Sequence, residues 1–178
     1  MSINCLIIDW LAPIIREYVI RVPDTGTKSV LELGPQDIGM PFESISRVMA
    51  NYSCKISLPG ENFDSKWNAR DFVYRQLGLQ DYSAIDLYDD RAEFKASLEN
   101  IVDLNGSKYD VVTNFGTLEH LFNPGNALVT IHNALKPGGL ALHILPCMGD
   151  LAHGVYNINP AFVKVLAEAN KYKIVSWL

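Results

Sequence analysis

The sequence predicts an α/β protein built on a doubly wound, mostly parallel sheet, and three observations carry that reading. Apolar, strand-like runs alternate with segments of helical period along the chain. One run, Val30–Leu33, ends in Gly34 and passes through Pro35, Gln36, Asp37 and Ile38 to Gly39 before a helical pattern opens at Phe42. Strand, glycine turn and helix start form the first half of a crossover whose free backbone N–H groups can face a ligand. Leu140–Leu145 is apolar almost throughout, which predicts a central strand covered on both faces.

The chain has 178 residues, enough for one domain with a full core. Hydrophobic residues are 48% and charged residues 20%, which excludes a disordered chain. The net charge is −5 and no basic run occurs, so a nucleic-acid partner is not expected. Cys5, Cys54 and Cys147 are far apart and odd in number; they spell neither a disulfide framework nor a zinc spacing, and reduced cytoplasmic thiols account for them. The apolar N-terminus has no basic start and is interrupted by Asp9, Arg16 and Glu17, so neither a signal peptide nor a membrane span is expected.

In chain order, Ile7, Ile8, Leu11, Ile14, Ile15, Tyr18 and Val22 share one helical face within an N-terminal helical region of about 7–21; the helix itself is read from about Leu11 to Arg21, with Pro13 expected in its first turn. Pro23–Thr27 reads as a loop and Ser29–Leu33 as the opening strand. Phe42–Asn51 is a helix with Phe42, Ile45, Val48 and Met49 on one face. Tyr52–Gly60 allows a short strand, and Asp64 or Ser65 caps a helix that buries Ala69, Phe72, Val73, Gln76 and Leu77 and stops at Gly78. Tyr82–Leu87 is the second strand; Ala92–Val102 is a helix or a loop leading to a third strand near Asp103. Tyr109–Thr113 is a strand, and Asn123 and Pro124 open a helix that buries Leu128, Ile131 and Leu135 and ends at Lys136-Pro137-Gly138-Gly139. After Leu140–Leu145 come a polar loop over Cys147–Asn159, a helix from Pro160 with Phe162, Val163, Leu166 and Ala167 inward, and a final strand over Tyr172–Trp177.

Tyr109–Pro146 resembles the central block of the class I S-adenosylmethionine-dependent methyltransferases. The matching features are the strand Tyr-Asp-Val-Val, the triplet Leu118-Glu119-His120, Asn123-Pro124, the helix, Leu135–Gly139 and the strand that ends at Pro146. Val30–Gly34 is similar to that family's first motif. The resemblance implies a Rossmann-like methyltransferase fold, S-adenosylmethionine as cofactor, and methyl transfer to a small-molecule acceptor. It implies that Glu32 and Gly34 form the floor under the methionine part of the cofactor, that Pro35 and Gln36 also belong to the cofactor-binding turn, that Asp86 accepts the ribose hydroxyls, and that Asp103 and Leu104 face the adenine. It further implies that Asn114 and Gly116 line the sulfonium, and that Glu119 and His120 stand at the mouth near the acceptor.

The chain also departs from the family pattern. Gln36 and Ile38 stand where further glycines are usual, with Gly39 as a shifted replacement. Asp86 lies further from Gly34 than the usual separation of about 20 residues, so an insertion over Asn51–Leu79 must fold between them. Glu61 is a competing ribose acid at ordinary spacing. The family's antiparallel last strand has no counterpart after Trp177; a shortened sheet, an edge completed by a second copy of the chain, or a longer gene would each account for that.

Methyl transfer from a sulfonium needs mainly in-line positioning, and a base only where the acceptor must lose a proton. A metal is not required, and no ligand cluster is legible. His120, beside Glu119, is the first candidate base, against the alternative that it packs on the following helix. His153, Tyr156 and Asn157 belong to the loop after the fifth strand, where acceptor pockets form in open α/β sheets. His132 and His143 read as structural, and Tyr82, Tyr88 and Trp67 are candidates to stack on adenine, with aromatic core packing the favoured reading. Two other functions compete: a nicotinamide-dependent oxidoreductase, disfavoured by Gln36 at the middle-glycine position and by the charge of Asp37, and a catalytically inactive methyltransferase-like binding or assembly domain.

Overall fold

A computed structural model describes residues 2–21, 26–57, 68–149 and 152–177. The named elements are β1 (Ser2–Ile3), α1 (Cys5–Ile15), β2 (Lys28–Leu33), β3 (Asp37–Ile38), α2 (Phe42–Asn51), β4 (Leu79–Ile85), β5 (Tyr109–Phe115), α3 (Pro124–Ala134), β6 (Leu135–Ile144) and α4 (Pro160–Ala169). Single π-helical stretches extend α1 over Arg16–Ile20 and precede β4 over Arg70–Tyr74. Four strands form one parallel sheet in the order β4-β2-β5-β6. The chain leaves β2 toward β4 on one side and reaches β5 on the other. The strand order therefore reverses beside the C-terminal end of β2, where open α/β sheets bind ligands.

Alternation along β2 divides the core. Val30 packs with α1, α2, the Arg70–Tyr74 turn, Val111, Leu140 and Leu142 on one face. Leu31 and Leu33 pack with Ile85, Leu104, Val112, Ala127 and Ile131 on the other. The period of two in a strand produces this, and it sends Glu32 to the first face. The expected helices at Phe42–Asn51 and from Pro124 and Pro160 all form.

Several expectations change. Pro13 lies in the interior of α1, not its first turn. A proline there leaves the carbonyl four residues back without its helical donor, and the Tyr52 hydroxyl donates to that Asp9 carbonyl at 3.3 Å and to Asp9 Oδ1 at 2.9 Å. Gly39 serves the N-terminus, not a ligand: its N–H donates to Ile3 O at 2.9 Å, and a Cβ would come within 2.8 Å of Ser2 Cβ. Residues 52–57 form no strand. Gln76 is exposed. The proposed helix cap at Asp64 or Ser65, most of the Pro23–Thr27 loop, Trp67 and the competing acid Glu61 lie outside the described residues. The third strand reduces to one bridge between Phe94 and Ile85.

Leu140–Leu145 falls at the edge of the described sheet, not its centre. Its apolar run is nevertheless explained, because Leu140 and Leu142 enter one core and Ala141 and Leu145 pack on the other. Burial of both faces leaves no record of lateral position. Tyr172–Trp177 is not a strand. Its Tyr172 hydroxyl lies 2.6 Å from His132 Nδ1 on α3, and Ser176 Oγ accepts from Trp10 Nε1 on α1 at 3.2 Å. The segment thus reaches elements on opposite faces of the sheet in place of pairing with β6. Of the apolar residues expected inward on α4, only Ala167 is buried, and Phe162 is 41% exposed.

Replacing Tyr52 by Phe should lower stability by about 1 kcal/mol, read as a shift in urea midpoint, because two hydrogen bonds at the proline break of α1 are lost. Pro13→Ala restores the helical donor to Asp9, and in that background the cost of Tyr52→Phe should shrink.

Candidate functional site

The first functional feature sits under the turn after β2. Glu32 is 1% exposed. Its Oε1 accepts from the Tyr74 hydroxyl at 2.7 Å; its Oε2 accepts from the Tyr82 hydroxyl at 2.7 Å and from the Gln36 N–H at 3.0 Å. Burial outweighs these three donors and raises its carboxyl to about 7. Tyr74 comes from the segment after Asn51, so the insertion delivers a side chain to the acid beneath the turn. Tyr82 is spent on Glu32.

Above this acid the turn makes a cradle. Gly34 has φ +75°, a left-handed conformation that glycine adopts without strain. A Cβ at Gly34 would lie 3.2 Å from Thr117 Oγ1 and 3.7 Å from Asp86 Oδ2. The fold therefore closes the long sequence gap between Gly34 and Asp86. The Gly34 N–H is used within the sheet, donating to Ile85 O at 2.9 Å. Asp86 Oδ1 accepts from the Tyr88 N–H at 2.7 Å and the Asp89 N–H at 2.8 Å, while its Oδ2 faces the Gly34 turn. Gln36 is buried; its Nε2 donates to Gly34 O at 3.1 Å, and its Oε1 has no hydrogen-bond partner.

Arg91 straps the cradle from outside. It pairs with Asp37 Oδ1 and Asp89 Oδ2, each at 2.6 Å, and donates to Pro35 O at 3.2 Å. The charge of Asp37 is thus balanced locally, so it no longer argues against a dinucleotide; the missing middle glycine still does. Tyr88 is 86% exposed beside Asp86, not a core aromatic. Thr117 follows the Gly116 turn directly after β5 and could have been singled out on that position, whereas Arg91 lies in the polar stretch after β4, outside any motif.

The remaining cofactor-side candidates divide. Asn114 is fully buried, with Oδ1 accepting the Leu118 N–H at 3.2 Å and Nδ2 donating to His143 Nδ1 at 3.1 Å. Burial pushes the His143 imidazole down to about 4, which keeps it neutral as that acceptor. Gly116, at φ +74°, turns the chain after β5. Asp103 Oδ1 accepts the Asn105 N–H at 2.9 Å within its own turn, and Leu104 is buried in the core under α3. Both have structural work of their own there.

On the acceptor side, the fold joins two candidates that lie far apart in sequence. Glu119 and His120 end a 3₁₀ turn, Leu118–His120. The loop after β6 folds back onto it: Val155 N–H and Tyr156 N–H donate to Glu119 O at 2.7 and 3.1 Å. Gly154 permits this approach, since a Cβ there would lie 2.9 Å from Glu119 O and from Glu119 Cγ. The Tyr156 hydroxyl donates to Phe122 O at 3.1 Å, and Asn157 is exposed. The His120 and His153 rings meet edge-on with centroids 4.9 Å apart. Glu119 lies between them, 3.9 Å from His120 Nε2 and 3.7 Å from His153 Nε2. The sequence reading found no ligand cluster; these three side chains form one, because the loop returns to the turn.

Among the described residues no helix is long and apolar enough to cross a membrane. A family model described as a methyltransferase domain matches residues 15–161. Comparisons with curated proteins and with solved structures returned no match.

Glu32 sets a pH dependence. Its carboxyl stands at 4.5 when unperturbed and about 7 when folded. Between those values the folded chain binds the extra proton, so stability should fall as pH rises from 4.5 to 7, by about 3 kcal/mol at most, and then level off. Urea unfolding at stepped pH should show that slope in the wild type and a flattened one in Glu32→Gln.

Proposed function

The chain belongs to the methyltransferase-domain family, and from that premise we propose that it transfers a methyl group from S-adenosylmethionine to a small-molecule acceptor. The observation that supports this cofactor most is the cradle at Gly34. A carboxylate oxygen, Asp86 Oδ2, stands against the Gly34 turn, and Gln36 beside it holds a buried acceptor without a donor, Oε1. A buried oxygen without a partner is costly, so such an atom points to a donor that arrives with a ligand. The α-ammonium of the methionine part suits Gln36 Oε1, and ribose hydroxyls suit Asp86 Oδ2. No phosphate cradle is needed for a cofactor without phosphates.

When bound, this cofactor supplies an activated methyl group on a sulfonium. The residues of the chain then have three tasks. Glu32 holds the turn at Gln36, Asp86 and Gln36 fix the cofactor, and exposed Tyr88 offers a face for the adenine. Gly116 and Thr117 border the space between cofactor and acceptor. His120 and His153 present imidazole nitrogens on the acceptor side, where either can receive an acceptor's proton, and Asn157 offers polar contacts to the acceptor. Asp103 and Leu104 keep the adenine edge as their proposed place.

Two attributes complete the reading. Free thiols at Cys5, Cys54 and Cys147 suit a cytoplasmic setting. An edge strand such as β6 is a natural place for a second copy to pair.

Calorimetry with S-adenosylmethionine and S-adenosylhomocysteine should show binding of both, with none for NAD. Asp86→Asn keeps the Oδ1 acceptor of the Tyr88 and Asp89 turn but replaces the free oxygen with a donor. It should weaken both ligands by at least about tenfold. Unchanged affinity in Asp86→Asn would refute the ribose role, and binding of NAD alone would refute the cofactor.

A further inference from the structure

Glu119 presents an electrostatic problem that the protein does not solve with its own groups. The side chain is fully buried, and neither Oε1 nor Oε2 has a hydrogen-bond partner. A carboxylate in that state lacks the donors that normally offset its lost hydration. Two imidazole nitrogens stand near Oε1, His120 Nε2 at 3.9 Å and His153 Nε2 at 3.7 Å. Both distances are too long for hydrogen bonds. They are close to the separation of two ligands on one ion: bonds of about 2.1 Å at tetrahedral angles put ligand atoms roughly 3.4 Å apart. One ligand atom from each of the three residues lies within 4.8 Å of the others.

The scaffold holds these groups together without help from an ion. Asn114 Oδ1 fixes the Leu118 N–H at the head of the turn. The Glu119 carbonyl takes two N–H groups from the loop that carries His153, and Gly154 lets the two backbones touch. At the far end the Ile158 N–H donates to Pro146 O at 2.7 Å and closes the loop on itself. The imidazoles are half open to solvent, with side-chain exposures of 45% for His120 and 43% for His153. Buried carboxylate beneath, exposed imidazoles above and room at the top are the layout of a metal site with open positions, in contrast to a closed structural one.

We propose that Glu119, His120 and His153 bind a divalent transition-metal ion of the Zn²⁺ class. Two imidazole nitrogens and one carboxylate oxygen select such an ion over Mg²⁺ or Ca²⁺, which prefer oxygen ligands throughout. The ion leaves at least one coordination position open on the exposed side. For the identity of what enters there, the inference rests on the methyltransferase reading: with both imidazoles held as ligands in place of acting as bases, an acceptor hydroxyl or thiol bound to the ion gives up its proton to solvent near neutral pH and keeps the electron pair it needs as a nucleophile. Acceptors bearing an ionisable oxygen or sulfur are then favoured over amines.

The test uses the full chain stripped of metal with a chelator. Titration with Zn²⁺ in a calorimeter should give one site per chain. Co²⁺ in its place should give the visible absorption bands of a low-coordinate nitrogen- and oxygen-ligated ion. His153→Ala alters an exposed loop side chain, and Glu119→Gln keeps the shape of the buried one. Each should weaken Zn²⁺ by at least about tenfold, with circular dichroism unchanged. No heat and no cobalt bands, or equal affinity in both variants, would overturn the site. S-adenosylhomocysteine is titrated on the same samples. Zinc uptake without binding of that nucleoside would leave the metal site standing and remove the methyltransferase reading, whereas the reverse result would remove only the metal site.

Discussion

One buried carboxylate organises the sheet end around the glycine turn of this molecule. Glu32 joins three pieces of chain that share no local sequence: β4 through Tyr82, the Arg70–Tyr74 turn through Tyr74, and the glycine turn through the Gln36 N–H. Two hydroxyls and one amide cannot fully replace water around an ion in an apolar core, which is why the acid holds its proton up to about 7. The same shortage makes the arrangement specific. Displacing any one element would leave a still less satisfied carboxylate, so the insertion, the second strand and the turn are committed to one relative position.

That commitment determines what lies above. With the Gln36 N–H drawn down to Glu32, the Gln36 side chain folds back on Gly34 O and leaves its own oxygen buried without a donor. Gly34 then brings the chain within reach of Asp86 and Thr117. Arg91, on the outer side, ties Asp37, Asp89 and Pro35 together, so that the two walls of the cradle move as one.

The Leu118–His120 turn and the loop on it follow a different rule. The turn is set from below by Asn114 and neutral His143, and the loop is set by backbone bonds to the Glu119 carbonyl. Stability there is local and polar, and little apolar surface is committed. α4 and the segment after it continue this trend, with Phe162, Val165, Ile174 and Trp177 all substantially exposed. The molecule is therefore well packed around β2, β4 and β5 and sparsely packed beyond β6.

Local pattern was enough for the sheet class, the helix over Phe42–Asn51, the strands around Val30 and Val111, and the helix start at Asn123-Pro124, because strand alternation and helix caps act within a few residues. It was also enough to single out Gly34, Asp86, His120 and His153, whose chemistry and position after strands mark them. Tertiary structure decided the rest. The order β4-β2-β5-β6 placed an apolar strand at an edge, since burial of two faces says nothing about neighbours. Side-chain bonds to α3 and α1 diverted Tyr172–Trp177 from a strand that its apolar residues allowed. The contact of Gly154 with Glu119 converted two separate histidines and an acid into one cluster. Each of these outcomes depends on groups dozens of residues apart meeting in space, and no period or spacing in the chain records such a meeting.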